Sequence, residues 1–88
     1  NVLSTDLTDL AWQFAKPLED KCEGVELTES LVQAPRLKDA IAHFACHAHA
    51  IYDGGDHIIV VGEILDFDHK EGDALIFYRG QMQTSAPL

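Results

Sequence analysis

The sequence predicts a mainly β domain with one or two short helices, and three features point there. From Ala40 the apolar period changes to two; the glycine pair Gly54–Gly55 separates two apolar runs; and a charged loop with Gly72 precedes a third run through Leu75-Ile-Phe-Tyr-Arg79.

The elements follow in order. Asn1-Val-Leu3 reads as the end of an apolar strand, so further chain is expected before Asn1. Ser4, Thr5 and Asp6 supply capping chemistry and negative charge, after which Leu7, Leu10, Ala11 and Phe14 recur at helical spacing. That helix is expected to end near Lys16, ahead of Pro17. From Pro17 to Pro35 the pattern dissolves into Gly24, scattered acids and single apolar residues, which predicts a loop with one short helical turn.

From Ala40 to Ala50 strict alternation sets Ala42, Phe44, Cys46, Ala48 and Ala50 against Ile41, His43, Ala45, His47 and His49, the signature of a strand. Tyr52-Asp-Gly-Gly-Asp56 then reverses the chain, since Asp-Gly and Gly-Gly pairs favour tight hairpin turns. His57 to Phe67 is β-branched and apolar on both faces, which predicts a central strand, with Gly62 marking a bulge or close backbone approach. A third strand is expected over Ala74 to Met82. Three antiparallel strands cannot close a barrel and would leave an edge open, so the missing strands are expected upstream.

Composition narrows the function. At 47% apolar and 24% charged residues, the 88-residue chain has the makeup of one small folded domain rather than a disordered segment. Six Lys and Arg against fifteen Asp and Glu give a net charge of −9, which repels phosphate backbones and anionic lipid, so neither nucleic acid nor membrane is expected as a partner. Apolar runs such as Ile58 to Val61 are far below the roughly 20 residues of a membrane helix, and no leader-like N-terminal segment is visible. A cytoplasmic location is the expectation, with Cys22 and Cys46 as reduced thiols and Cys46 packed as a small hydrophobe.

The densest chemical signal is Tyr52-Asp-Gly-Gly-Asp-His57, followed by Val61-Gly-Glu63. Gly54 and Gly55 let backbone approach a flat ligand, while Asp56 and His57 offer an acceptor and a donor at a strand entrance. The competing interpretation is purely structural: the turn needs glycines, Asp56 caps it and His57 is an ordinary strand residue. A second cluster, His43, His47 and His49, shares one strand face under strict alternation, and with Glu63 or Asp66 it could bind zinc or iron; a solvated face explains the same pattern, and no metal site is assigned. Hydrolysis is disfavoured because Ser4, Ser30 and Ser85 fall in caps, loops or the tail, and no Gly-x-Gly-x-x-Gly or phosphate-binding loop is present.

Read in order, Asn1-Val-Leu-Ser4, Trp12-Gln-Phe-Ala15, Lys21-Cys-Glu-Gly24, Gly55-Asp-His57, Val61-Gly-Glu-Ile64 and Ile76-Phe-Tyr-Arg-Gly80 resemble the latter half of the flavin reductase-like family. The resemblance spans nearly the whole chain. It implies an FMN-binding split barrel of Greek-key topology, a homodimer with flavin near the subunit interface, and hydride transfer from NADH or NADPH to FMN or FAD. It also implies that reduced flavin passes to a partner monooxygenase. Carried over residue by residue, it places Gly55, Asp56 and His57 beside flavin and nicotinamide, with His57 the candidate catalytic residue. Asn1 corresponds to a strand end against the flavin, and Tyr78 and Arg79 to the last barrel strand. His57, when protonated, or Arg79 could stabilise the anionic reduced flavin; Arg79 as a solvated strand-end charge is the alternative. The family's upstream strands and phosphate-binding loop have no counterpart in residues 1–88. Other outcomes left open are a split-barrel protein that only holds flavin, and a small metal-binding β-barrel built on the strand histidines.

Overall fold

The computed structural model describes residues 1–30, 32 and 34–86. A 3-10 turn, Thr5–Leu7, leads into helix α1, Thr8–Ala15. The strands are β1 Leu27–Glu29, β2 Pro35–Leu37, β3 Ala42–Asp53, β4 Ile58–His69, β5 Leu75–Tyr78 and β6 Gln81–Thr84. They pair as consecutive antiparallel hairpins: β1 with β2, β3 with β4, and β5 with β6.

The helix forms where capping chemistry and periodicity coincide. Ser4 holds the extended conformation of a cap residue but makes no side-chain cap bond; the Thr8 hydroxyl instead donates to the Thr5 carbonyl at 2.9 Å. Lys16 N–H closes the last turn onto Trp12 O at 3.1 Å, and Pro17 follows immediately, where its ring cannot continue the helix. Trp12 meets Phe77 edge-on at 6.1 Å, joining α1 to β5.

The expected loop over 17–35 holds one strand and the start of another. β1 and β2 pair in the register Leu27↔Leu37, Thr28↔Arg36 and Glu29↔Pro35. Strands of three residues are too short to generate a readable period, and this pair draws on side-chain ties that periodicity does not reveal. Lys38 donates to Glu26 at 2.9 Å, and Ser30 Oγ accepts from Ala34 N–H at 3.2 Å. The expected helical turn corresponds to the turn at residues 21–24, closed by Val25 N–H donating to Cys22 O.

The β3–β4 hairpin runs from Ala42↔His69 to Asp53↔Ile58 with two slips of register. Between Ala45↔Asp66 and Cys46↔Ile64 the extra residue is Leu65; between Ala48↔Gly62 and Ala50↔Val61 it is His49. Each such bulge bends the strand and breaks strict alternation. At Gly62 the close approach predicted from the sequence is present, since a Cβ there would lie 2.8 Å from Cys46 Cβ. The expectation that β4 is a central strand is not met among the described residues. It pairs with β3 alone, and Ile58, Ile59, Val60, Val61, Ile64, Leu65 and Phe67 are all exposed. Cys46 is likewise exposed rather than packed, and both cysteines are free.

The single strand expected over Ala74–Met82 is a hairpin. Arg79 (φ 52°) and Gly80 (φ 78°) both adopt left-handed backbone, the signature of a type I′ turn, and Tyr78 pairs with Gln81 across it. Arg79 therefore sits in the turn and not on a strand.

Residues 1–4 stitch the hairpins together. Val2 bridges Ala42 and Ser4 bridges Ala74, while Leu75 N–H donates to Leu3 O at 2.8 Å. Asn1 Oδ1 accepts from Leu37 N–H at 2.9 Å, reaching the β1–β2 pair. The buried residues Ser4, Leu37, Ala40, His43 and Ala45 gather at this junction, so the core sits at the base of the β3–β4 hairpin.

Candidate functional site

The tip of the β3–β4 hairpin carries the chemistry the sequence singled out. Gly54 N–H donates to His57 O at 2.9 Å, and Gly55 takes φ 88° at the first central position of the turn, the pattern of a II′ hairpin, in which glycine is favoured. Asp53 Oδ1 accepts from Gly55 N–H at 3.0 Å and fixes the turn from one side. A Cβ on Gly55 would meet nothing within 4 Å, so one face of the main chain stands open. His57 Nδ1 lies 2.8 Å from Asp56 Oδ1, with the two side chains 63% and 97% exposed. A carboxylate only accepts, which assigns the proton to Nδ1 and leaves Nε2 as the free acceptor of the neutral ring. The tip thus presents bare backbone and an oriented imidazole to solvent.

The other residues expected at the site lie elsewhere. Asn1 is at the base of the same hairpin, roughly 35 Å away along the strand at about 3.3 Å per residue. There it borders an open, largely apolar cleft of about 410 Å³ between α1 and β1–β2, with Phe14, Leu27 and Leu37 among its walls. Tyr78 is exposed at the end of β5, and Arg79 follows in the turn. Within one chain, then, Gly55, Asp56 and His57 are brought together, while Asn1 lies at the base of the hairpin and Tyr78 and Arg79 belong to the separate β5–β6 hairpin.

The histidines of β3 do not form the shared cluster that strict alternation suggests. His43 is 4% exposed, with Nε2 3.3 Å from Asp66 Oδ2 and Nδ1 buried without a partner, whereas His47 and His49 are exposed. The bulge at His49 breaks the alternation that placed the three on one face. Among the described residues no group of three or more His, Cys, Asp or Glu side chains could hold a metal ion. Among the described residues no helix is long and apolar enough to cross a membrane.

At the β1–β2 edge two titrating groups shift each other. The hydrogen bond and charge of Lys38 hold Glu26 below the ordinary glutamate value, and Glu26 in turn raises Lys38. Sequence reading missed this pair, and its signal, Glu26 and Lys38 flanking two three-residue strands, becomes legible only once those strands are known.

Comparison with known proteins identifies the family. The profile of the flavin reductase like domain matches residues 1–86. The reductase subunit of a flavin-dependent monooxygenase from Rhodococcus jostii is 34% identical over 88 residues, covering 99% of this chain and 45% of that protein. A flavin reductase from Pseudomonas putida is 35% identical over 81 residues, covering 91% of this chain and 48% of that protein. The chain thus spans about half the length of these curated relatives. Among solved structures, nitrilotriacetate monooxygenase component B from Mycobacterium thermoresistibile superposes with a TM-score of 0.90 at 28% identity, over 99% of this chain and 50% of that one. The NADH:FAD oxidoreductase of Streptomyces globisporus, solved with NAD and FAD fragments, gives 0.86 at 29% identity, over 97% and 53%. The mainly β architecture with its short helix is that of the split-barrel flavin reductases.

Proposed function

Because the chain belongs to the flavin reductase-like domain family, we propose that it is part of a flavin reductase that uses NADH or NADPH to reduce FMN or FAD and hands the product to a partner monooxygenase. The observation that carries this reading is the hairpin tip, where open main chain at Gly55 adjoins the oriented imidazole of His57. A flat heterocycle can lie against backbone that has no Cβ in the way, and a polar ligand edge can meet Nε2. The tip fits a nicotinamide or flavin ring on those grounds.

When bound face to face, nicotinamide and flavin carry the hydride chemistry themselves. The chain contributes placement. Holding two rings at near-attack distance removes most of the entropic barrier, and no side chain need act as acid or base. Gly55 sets the depth of approach, and His57 fixes the orientation in the plane. The cleft beside Asn1 supplies an apolar wall at the other end of the hairpin, suited to the dimethylbenzene side of a flavin.

Two features support a homodimer in which strands from outside residues 1–88 complete the barrel. The first is the apolar surface of β4, exposed on both faces, which a solvated strand would not carry. The second is the separation of Asn1 from His57, since a second copy can bring the tip of one protomer to the base of the other. A partner monooxygenase is supported by the names of relatives that are reductase components of such enzymes.

The test is direct: intact protein is mixed with FMN or FAD, and NADH or NADPH is added without oxygen. Bleaching of the oxidised-flavin band at a protein-dependent rate is expected. A folded protein that bleaches neither flavin with either nucleotide overturns the reading.

A further inference from the structure

We propose that Gly54 and Asp56 are positioning residues that hold His57 in one tautomer and one ring placement, so that its Nε2 lone pair accepts an amide N–H of the nicotinamide carboxamide. The proposal rests on the reading of the hairpin tip as the nicotinamide site. It also changes the part expected of Asp56, whose carboxylate is committed to His57 rather than to the cofactor.

Three observations converge on the ring. Asp56 Oδ1 accepts a hydrogen bond from Nδ1–H at 2.8 Å, so that in the neutral ring Nε2 is the acceptor. The imidazole folds back across Gly54: a Cβ there would lie 2.7 Å from Nε2, 2.9 Å from Cδ2 and 3.1 Å from Cε1. Any side chain at position 54 therefore displaces the ring. Finally, Gly54 N–H donates to the carbonyl of His57 itself at 2.9 Å, so the backbone that carries the ring is tied to the backbone that makes room for it.

The two neighbouring aspartates divide the work. Asp53 accepts from Gly55 N–H and shapes the turn, which leaves Asp56 free for the imidazole. Because Asp56 is almost wholly exposed, its pairing with His57 adds little to folding, as is usual for surface ion pairs. Its consequence is tautomeric. An acceptor held at Nδ1 determines which nitrogen of a neutral histidine donates and which accepts. A carboxamide N–H requires the second.

The test uses the intact protein, with nitrogen-15 NMR of the His57 ring read beside steady-state kinetics. In Asp56→Asn the side-chain amide can donate to Nδ1, which moves the ring proton to Nε2. The expected result is a switched tautomer, a rise in KM for NADH of about tenfold, kcat within about twofold and unchanged flavin affinity, the pattern of lost ground-state binding. Asp56→Glu, which keeps an acceptor, should restore most of the KM. Gly54→Ala should raise KM similarly while the melting temperature shows the fold intact. If His57→Ala alters neither KM nor kcat, the nicotinamide reading of the tip fails. If His57→Ala is impaired but Asp56→Asn and Gly54→Ala behave as wild type, or the tautomer does not switch, the positioning proposal alone is overturned.

Discussion

The two ends of the β3–β4 hairpin are built on opposite terms. At the base, Ala45 and His43 are buried, Val2 bridges Ala42, and Asn1 reaches across to Leu37. At the tip, Asp56 and His57 stand in solvent on a turn held by one backbone bond, Gly54 N–H to His57 O, and one side-chain bond, Gly55 N–H to Asp53 Oδ1. The same ladder thus joins a region where substitution is read as stability to the tip proposed as the ligand site.

Ala45→Asp should break that division most severely. A carboxylate at a position 4% exposed and paired with Asp66 would be desolvated beside a like charge, which costs about 3 kcal/mol or more. Chemical denaturation should show the loss, and a stability within 1 kcal/mol of wild type, the scale of an exposed site, would contradict a core at the base. Gly62→Ala, midway along the ladder, is expected to cost about 1–3 kcal/mol, because the new Cβ would overlap Cys46 Cβ and overpack the pair. Combining it with Cys46→Gly should recover at least half; no recovery would place the strain elsewhere.

The turn between β5 and β6 sharpens the comparison from the other side. Arg79 pays the left-handed penalty that Gly55 avoids at the hairpin tip, so Arg79→Asn should stabilise the protein by about 0.5–1 kcal/mol, since asparagine tolerates that backbone. A destabilisation would mean that the arginine side chain contributes more than its backbone loses.

The smallest effect belongs to the exposed Glu26–Lys38 pair. Glu26 is depressed, so its contribution is present above the ordinary glutamate value and fades as pH falls through the lower folded value. Lys38 is raised, so its share is present below the ordinary lysine value and fades as pH rises through the higher folded one. Lys38→Ala should therefore leave neutral-pH stability almost unchanged while flattening the acid limb slightly. An equal acid limb in both proteins would remove the pair from the account.

Where local chemistry and pattern agree, the sequence is readable. The helix from capping residues to Pro17, the reversal at Gly54–Gly55 and the close approach at Gly62 all follow from residues next to one another. What escaped depends on distance or on an unusual backbone. β1 and β2 are too short to show a period. Arg79-Gly80 makes a I′ turn without the asparagine that usually announces one, so β5 and β6 read as a single strand. The bulge at His49 breaks the alternation that had placed His43, His47 and His49 on one face. At the site, Gly55, Asp56 and His57 were visible as a contiguous motif, but the separation of Asn1 from them emerges only from the ladder, and the fold of His57 over Gly54 only from side-chain positions.

The most direct test of the tip as the nicotinamide site is single-turnover reduction of flavin in the intact protein at subsaturating NADH, comparing wild type with His57→Ala. A fall in rate of about tenfold or more, with flavin affinity within about twofold, is the result predicted. Equal rates in the two proteins would contradict it and return the glycine-rich tip to a purely structural role.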